Sequence, residues 1–271
     1  MAVFNRIMSI LAYRFTDADG NVYNAVEPYG TFHLSWFTFS VIVGILMIIF
    51  LRDVKAKTMK RIVFFTGLAL VLGEIYKQLI ISWTGNGFEY RWYAFPMQFC
   101  ATPMYIMFIA GLLPDCKLRN GMLSYLSTYS FIAGISVMIF VGDVFSTPLL
   151  GECIQTMTHH GAMVAVGMWL MAWNRKRNEI GDWGMSVLVF LFFETVAMIL
   201  NVALAPNVDL YFLSPYPSGV YVPVFGVIRD SAPYFIYLLI YNVGFTLGSL
   251  CFYELQKLIV KAKSEKTTHT V

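Results

Sequence analysis

Seven runs of apolar residues punctuate the chain, at roughly 32–51, 61–83, 97–114, 121–141, 153–173, 183–205 and 233–256. Each is close to the 20 or so residues that an α-helix needs to cross a hydrocarbon core. Their interiors lack the apolar/polar alternation of membrane β-strands, and a helix satisfies its own backbone groups in lipid, so a β-barrel is excluded. The pattern predicts an all-α, polytopic membrane bundle of seven transmembrane helices. Ahead of the first span, residues 3–15 place Val3, Phe4, Ile7, Met8, Leu11 and Phe15 on one helical face, with Asn5, Arg6, Ser9 and Arg14 mostly opposite. That spacing predicts an amphipathic helix lying in the membrane interface.

The organisation that follows is an interfacial helix and turn over 1–31, a transmembrane domain over 32–256 and a basic tail over 257–271. In the first part, Asp17-Ala18-Asp19-Gly20-Asn21 has the residue types of a calcium loop, but Gly20 and Glu27 miss the EF-hand offsets. A plain turn is predicted there, without metal. The longest connector, 206–232, is punctuated by Pro206, Pro215, Pro217, Pro223, Gly219 and Gly226 among aromatic and aliphatic residues. It reads either as a re-entrant segment or lid over a cavity, or as a loop lying on the headgroups.

Composition agrees with a membrane protein: 58% of the 271 residues are hydrophobic and 13% charged, with a mean hydropathy of +0.65, more apolar surface than a soluble domain hides. The net charge of +3 is small and no basic run alternates with stacking aromatics, so nucleic-acid binding has no support. The basic residues instead encode topology. Fourteen Lys and Arg fall in the connectors between spans 1 and 2, 3 and 4, and 5 and 6 and in the tail, against Arg6, Arg14, Arg91 and Arg229 on the other side. The positive-inside rule then puts the N-terminus outside and the C-terminus in the cytoplasm of a cell-membrane protein. No cleavable signal peptide is predicted, since no small-x-small site follows the first apolar stretch. Four scattered cysteines, Cys100, Cys116, Cys153 and Cys251, make no disulfide framework and no metal finger.

Ionisable and amide residues at membrane depth are expensive and face a cavity or a partner. The candidates are His33, Glu74, Lys77, Gln98, His159, His160, Glu194, Asn201 and Asn242. At about 1.5 Å of rise per residue, most of them fall in the outer half of the bundle from five different spans. One polar cavity open to the outer leaflet accounts for that shared depth. Glu74 and Lys77, three apart, have the spacing of an ion pair along one helical face.

Cys100 shares this depth with His159 and His160. A thiol with an imidazole in reach is the smallest set for nucleophilic catalysis, the imidazole taking the proton and the thiolate attacking an ester carbonyl. Adjacent histidines point about 100° apart on a helix, so at most one of the two is expected to face the same cavity wall as Cys100, with the other bonding a neighbouring helix or a carboxylate such as Glu74. For the same reason the pair cannot hold one metal ion or haem together. No cofactor is predicted.

Several motifs together resemble the YwaF-like integral membrane protein family. They are Phe32-His33-Leu34, Glu74-Ile75-Tyr76-Lys77, Pro96-Met97-Gln98-Phe99-Cys100, His159-His160-Gly161, Tyr211-Phe212-Leu213-Ser214 followed by Pro217, and Pro233-Tyr234-Phe235. The chain departs from the family pattern at Asp209, where that stretch usually carries Asn, and in lacking tryptophans before the last span. Because the family includes a transmembrane acyltransferase of ether phospholipids, the resemblance implies Cys100 as acyl-accepting nucleophile and His160 as its base.

Two functions are consistent with these residues. In the first, a lipid acyltransferase or transacylase takes membrane phospholipids as acyl donor or acceptor, with Gln98 or Asn201 donating to the oxyanion and Lys77 free to hold a headgroup phosphate; a hydrolase is the same chemistry with water as acceptor. In the second, a small-solute or proton-coupled transporter uses the same buried polar residues without a nucleophile. The matched breaks in repeated halves that mark broken-helix transporters are missing from the sequence. Both readings depend on the predicted topology, which reporter fusions test: a reporter after Val271 should read cytoplasmic and one inserted at 143–152 external.

Overall fold

In a computed structural model the chain is described for residues 2–24, 26–85, 87–140, 147–174, 179–216 and 225–268, and these residues are all-α with no extended strand. The helices are α1 (Ala2–Leu11), α2 (Thr31–Leu51), α3 (Ala56–Ser82), α4 (Thr102–Leu112), α5 (Lys117–Ser127), α6 (Tyr129–Ile139), α7 (Leu150–Asn174), α8 (Ile180–Ala203), α9 (Phe225–Ser231) and α10 (Tyr234–Thr268). Five stretches among the described residues are long and apolar enough to cross a membrane: α2, α3, α5 with α6, α8, and α10 as far as Lys257. Their outer faces carry the apolar side chains that a soluble protein would bury, such as Phe50, Phe65, Leu188, Ile199 and Phe235. The protein is therefore a multi-pass α-helical membrane protein.

The other two expected spans differ from their sequence reading. α7 has the length of a span but carries Glu152, Gln155, His159 and His160, and it lies enclosed against α2, α3, α5 and α6. Over the expected span 97–114 only the 11 residues of α4 form a regular helix, about 16 Å at 1.5 Å per residue and too short to cross on its own. The rest of that depth is irregular, a 3-10 turn at Trp92–Ala94 followed by tight turns through Cys100. The fourth span breaks at Thr128, whose φ of −124° and ψ of −81° leave the helical region. Ser127 Oγ and Thr128 Oγ1 both donate to the Ser124 carbonyl, at 3.1 and 2.7 Å. Hydroxyl side chains thereby draw the backbone away from a straight helix at this point.

α1 forms where amphipathicity predicted it, and Met8 packs with Ile80, Ile81, Trp83 and Leu149 while Val3, Ile7 and Ile10 remain outward. Its end is tied down by Tyr76 Oη, which donates to the Leu11 carbonyl at 2.9 Å. The Asp17 turn carries no EF-hand: the Asp17 carboxylate accepts the backbone N–H groups of Asn21 and Asp19 at 2.8 and 3.0 Å, with Gly20 at φ +83°. The Asn21 backbone donor holds that carboxyl below the ordinary Asp range.

Two indoles register the opposite end of the bundle. Trp169 and Trp173 of α7 donate to the Leu51 and Val54 carbonyls, each at 2.9 Å, which brings the cationic connector 52–61 beside the end of α7. Arg175, Lys176 and Arg177, like Pro217, Gly219 and Pro223 of the long connector, lie outside the described residues. α10 continues as helix to Thr268, well into the segment expected as a tail.

α3 and α4 approach so closely that a Cβ on Gly67 would meet the backbone of Met107 and Phe108, while one on Gly111 would meet Phe64. Small residues at such crossings let helices pack without a hydrophobic driving force in lipid. Gly67→Leu should therefore destabilise the fold by about 2 kcal/mol or more, read as a lower midpoint for loss of monodisperse protein on heating in detergent.

Candidate functional site

The irregular stretch 92–101 sets the geometry of the site, because non-helical backbone inside the bundle needs partners that the helix no longer supplies. Side chains provide them. Gln78 Nε2 donates to the Ala94 carbonyl (2.6 Å), Tyr105 Oη to Pro96 (2.9 Å), Thr102 Oγ1 to Phe99 (3.0 Å) and His159 Nε2 to Cys100 (2.8 Å). Cys100 stands just before Ala101, the N-cap of α4.

The two histidines take different partners. His159 Nε2 carries the proton it gives to the Cys100 carbonyl, and His160 Nδ1 donates to Thr156 of its own helix at 2.8 Å. Each neutral ring then keeps one lone pair, on His159 Nδ1 and His160 Nε2. Both nitrogens are buried without a hydrogen-bond partner among the described residues, and the rings lie 5.7 Å apart. His159 is thus the residue that touches Cys100, through the main chain, while the ring tip of His160 is left as an unengaged acceptor.

Glu74 and Lys77 form the expected pair, Nζ to Oε2 at 2.9 Å, with the carboxylate side chain 5% exposed. Gln155 Nε2 adds a bond to Oε2 (3.2 Å) and Gln78 Nε2 one to Oε1 (2.8 Å). This network answers most of the carboxylate's acceptor capacity within the protein. Through Gln155, one turn before His159, it adjoins the Cys100 segment. Neither Gln78 nor Gln155 stands out in the sequence as a site residue; the i,i+4 spacing of Gln78 from Glu74 is the signal it carries.

Gln98 and Asn201 act together, but on backbone. Gln98 Nε2 donates to the Asp209 carbonyl and its Oε1 accepts the Tyr211 N–H, both at 2.8 Å. Asn201 brackets Leu210 in the same manner at 2.9 and 2.7 Å. These amides hold Tyr211 and Phe212 in the left-handed region, each at φ +58°, a conformation that costs non-glycine residues of order 1 kcal/mol or more. Asp209, where the resembled family has Asn, is paired with Arg229 at 3.0 Å, the two side chains 3% and 6% exposed. Arg229 also donates to the Ser214 carbonyl, and Tyr234 and Tyr237 donate to Leu213 and Phe212. The described part of the long connector is accordingly a fixed plug in the bundle.

His33 stands apart from this set. Its Nδ1 accepts the Tyr29 N–H (3.1 Å), which leaves Nε2 to donate to the Met138 carbonyl (3.0 Å) and clips α2 to the end of α6. Glu194 and Asn242 pair with each other at 2.7 Å between α8 and α10. Beside them, the Tyr241 hydroxyl is buried and unpartnered among the described residues. Its ring reaches Phe99, the neighbour of Cys100, through Phe245, with centroid separations of 4.6 and 4.9 Å.

Fold and site together define a polytopic helical membrane protein in which polar side chains of long helices hold two irregular segments inside the bundle. The chain belongs to the TMEM164 family, whose sequence profile matches residues 28–253, essentially the whole bundle. No curated protein and no solved structure matches it.

The buried Asp209–Arg229 pair is a sharp test of the plug. Arg229→Met leaves Asp209 without its cation and should cost about 3–5 kcal/mol, seen as a large fall in thermal midpoint in detergent. Adding Asp209→Asn should recover part of that loss, because the amide needs no counter-ion.

Proposed function

We propose that this TMEM164-family protein is a lipid acyltransferase or transacylase of the cell membrane, with Cys100 as nucleophile and His160 as base. The observation that carries the reading is the buried, unengaged His160 Nε2, next in sequence to the histidine that grips Cys100 from behind. A basic nitrogen left unsatisfied in an apolar interior is costly, and an approaching thiol or alcohol proton would satisfy it. The resemblance to YwaF-like proteins points to the same two residues.

In the first half-reaction the Cys100 thiol gives its proton to His160 Nε2 and the thiolate attacks the ester carbonyl of a phospholipid. The tetrahedral intermediate collapses, the ester C–O bond breaks, and the lysolipid alkoxide leaves with the proton from His160. In the second, His160 takes the proton of an acceptor hydroxyl, whose oxygen attacks the thioester and returns the thiolate, which is reprotonated. Water in place of the acceptor gives hydrolysis. With the oxygen and nitrogen of Gln98 and Asn201 already engaged by residues 209–211, we assign the oxyanion to another donor, the buried Tyr241 phenol that has no partner among the described residues, a contribution of about 3 kcal/mol for such donors. In this reading the bundle crosses the membrane seven times, with α4 and its irregular approach as the third span and α7 as the fifth, the C-terminus is cytoplasmic, and the chemistry belongs to the outer half of the membrane. The Glu74 network favours the enzyme over a transporter, since its members spend their charge and donors on one another.

Incubation with phospholipid should acylate Cys100, and neutral hydroxylamine should release the acyl group as it does thioesters. Cys100→Ala should abolish both the adduct and lipid turnover, and His160→Ala should slow adduct formation at least 100-fold. Cys116→Ala, Cys153→Ala and Cys251→Ala should retain activity: Cys251 is exposed on the bundle surface and Cys153 gives its thiol proton to the Thr147 carbonyl at 3.6 Å. Full turnover by Cys100→Ala would dispose of covalent catalysis.

A further inference from the structure

The connector between α2 and α3 joins two of the stretches long and apolar enough to cross a membrane, so it lies where the hydrocarbon core ends and the headgroups begin. Residues 52–61 carry Arg52, Lys55, Lys57, Lys60 and Arg61 against one carboxylate, Asp53. Lys57, Lys60 and Arg61 are three and four apart, which sets them on one face of the first two turns of α3, with Lys55 immediately before the helix. Lys55, Lys57 and Arg61 are exposed and Lys60 is half-buried, while Met59 and Val63 turn inward.

The protein answers little of this charge itself. Arg52 takes Asp53 at 3.2 Å, and Lys55, Lys57, Lys60 and Arg61 have no carboxylate within ion-pair reach among the described residues. Trp169 and Trp173 set the last turns of α7 beside the connector, and Gly111 near the end of α4 packs on Phe64, one turn along α3 from Lys60. The carboxylates that follow these two helices are engaged elsewhere: Asp115 by Arg119, and Glu179 and Asp182 by each other's backbone N–H at the start of α8. Like charges three and four apart repel along a helix, and the N-terminal end of the helix dipole has the same sign, yet α3 has no acidic residue in its first turn. The positive-inside rule asks for basic residues in such a connector, but not that they share one face and lack partners. A zwitterionic headgroup brings its own ammonium with its phosphate and leaves the excess charge unanswered, whereas a headgroup of net negative charge answers it. The long stems of Lys60 and Arg61 let their charges reach headgroup level from within the helix.

We propose that this face is a docking surface for phospholipids whose headgroups carry net negative charge, held by Lys55, Lys57, Lys60 and Arg61 where α2 passes into α3. The surface is independent of the thioester chemistry, and its test reads lipid retention rather than turnover.

The full-length protein in a neutral detergent is titrated with phosphatidylserine or with phosphatidylcholine of the same chains, and the bound lipids are counted by native mass spectrometry. The wild type should hold phosphatidylserine at least about tenfold more tightly, and the preference should shrink as ionic strength rises. Each cation near an anionic surface counts for about fivefold, so Lys57→Gln combined with Lys60→Gln should weaken phosphatidylserine binding about 20-fold and leave phosphatidylcholine binding unchanged. Lys57→Arg combined with Lys60→Arg keeps the charge and should keep the preference. Arg91→Gln, beyond the far end of α3 and paired with Glu89, should also keep it. Equal retention of the two lipids by the wild type, or a preference indifferent to ionic strength, overturns the proposal without any variant. A preference that survives the glutamine pair, or a loss as large in the arginine pair or in Arg91→Gln, overturns it as well.

Discussion

Backbone that leaves the helix inside a lipid-surrounded bundle must find hydrogen bonds elsewhere, and much of this structure answers that demand. Two segments leave it, 92–101 and 209–214, and each borrows side chains from long helices. Gln78 and His159 serve the first, and Asn201, Tyr234 and Tyr237 the second. Gln98 belongs to the first segment and serves the second, so the two are locked together. Burying these polar side chains costs less because each satisfies main chain.

This constraint also shapes the site. An unwound approach to α4 puts Cys100 at a helix N-terminus instead of within a regular turn. The histidine that completes its backbone bonding brings a second histidine alongside, on a helix enclosed by four others. Cys100 is thus fixed through its own main chain, and each of the two imidazoles keeps one buried ring nitrogen without a partner among the described residues. The Glu74 network performs a supporting role one turn away, fixing α7 against α3 through Gln155.

Aromatic packing supplies the rigidity that these bonds require. Phe99 and Phe190 contact each other and both Tyr211 and Phe245, with Tyr129 stacked on Phe190 at 4.7 Å. The plug at 209–214 therefore closes over an aromatic floor next to Cys100. Tyr211, left-handed and fully buried, reaches down to Thr102 at 3.2 Å, which connects the plug to the first turn of α4.

Membrane class, the amphipathic first helix, the Glu74–Lys77 pair and the short set of polar candidates were all legible in the sequence, because hydrophobic run length, helical periodicity and i,i+3 spacing are local properties. The irregularity of 92–101, the break at Thr128 and the partners of Gln98, Asn201 and His33 were not, because each depends on which distant group arrives to take a hydrogen bond. Gln98 and Asn201 looked like donors for a reacting oxyanion, and an amide serves that role or a backbone peptide with the same chemistry; only the position of residues 209–211 chose between them. His159 and His160 were equivalent as a sequence pair. It was the arrival of the Cys100 carbonyl at His159 Nε2 that gave the two rings different jobs, a decision made by the tertiary fold because it rests on a contact spanning 59 residues.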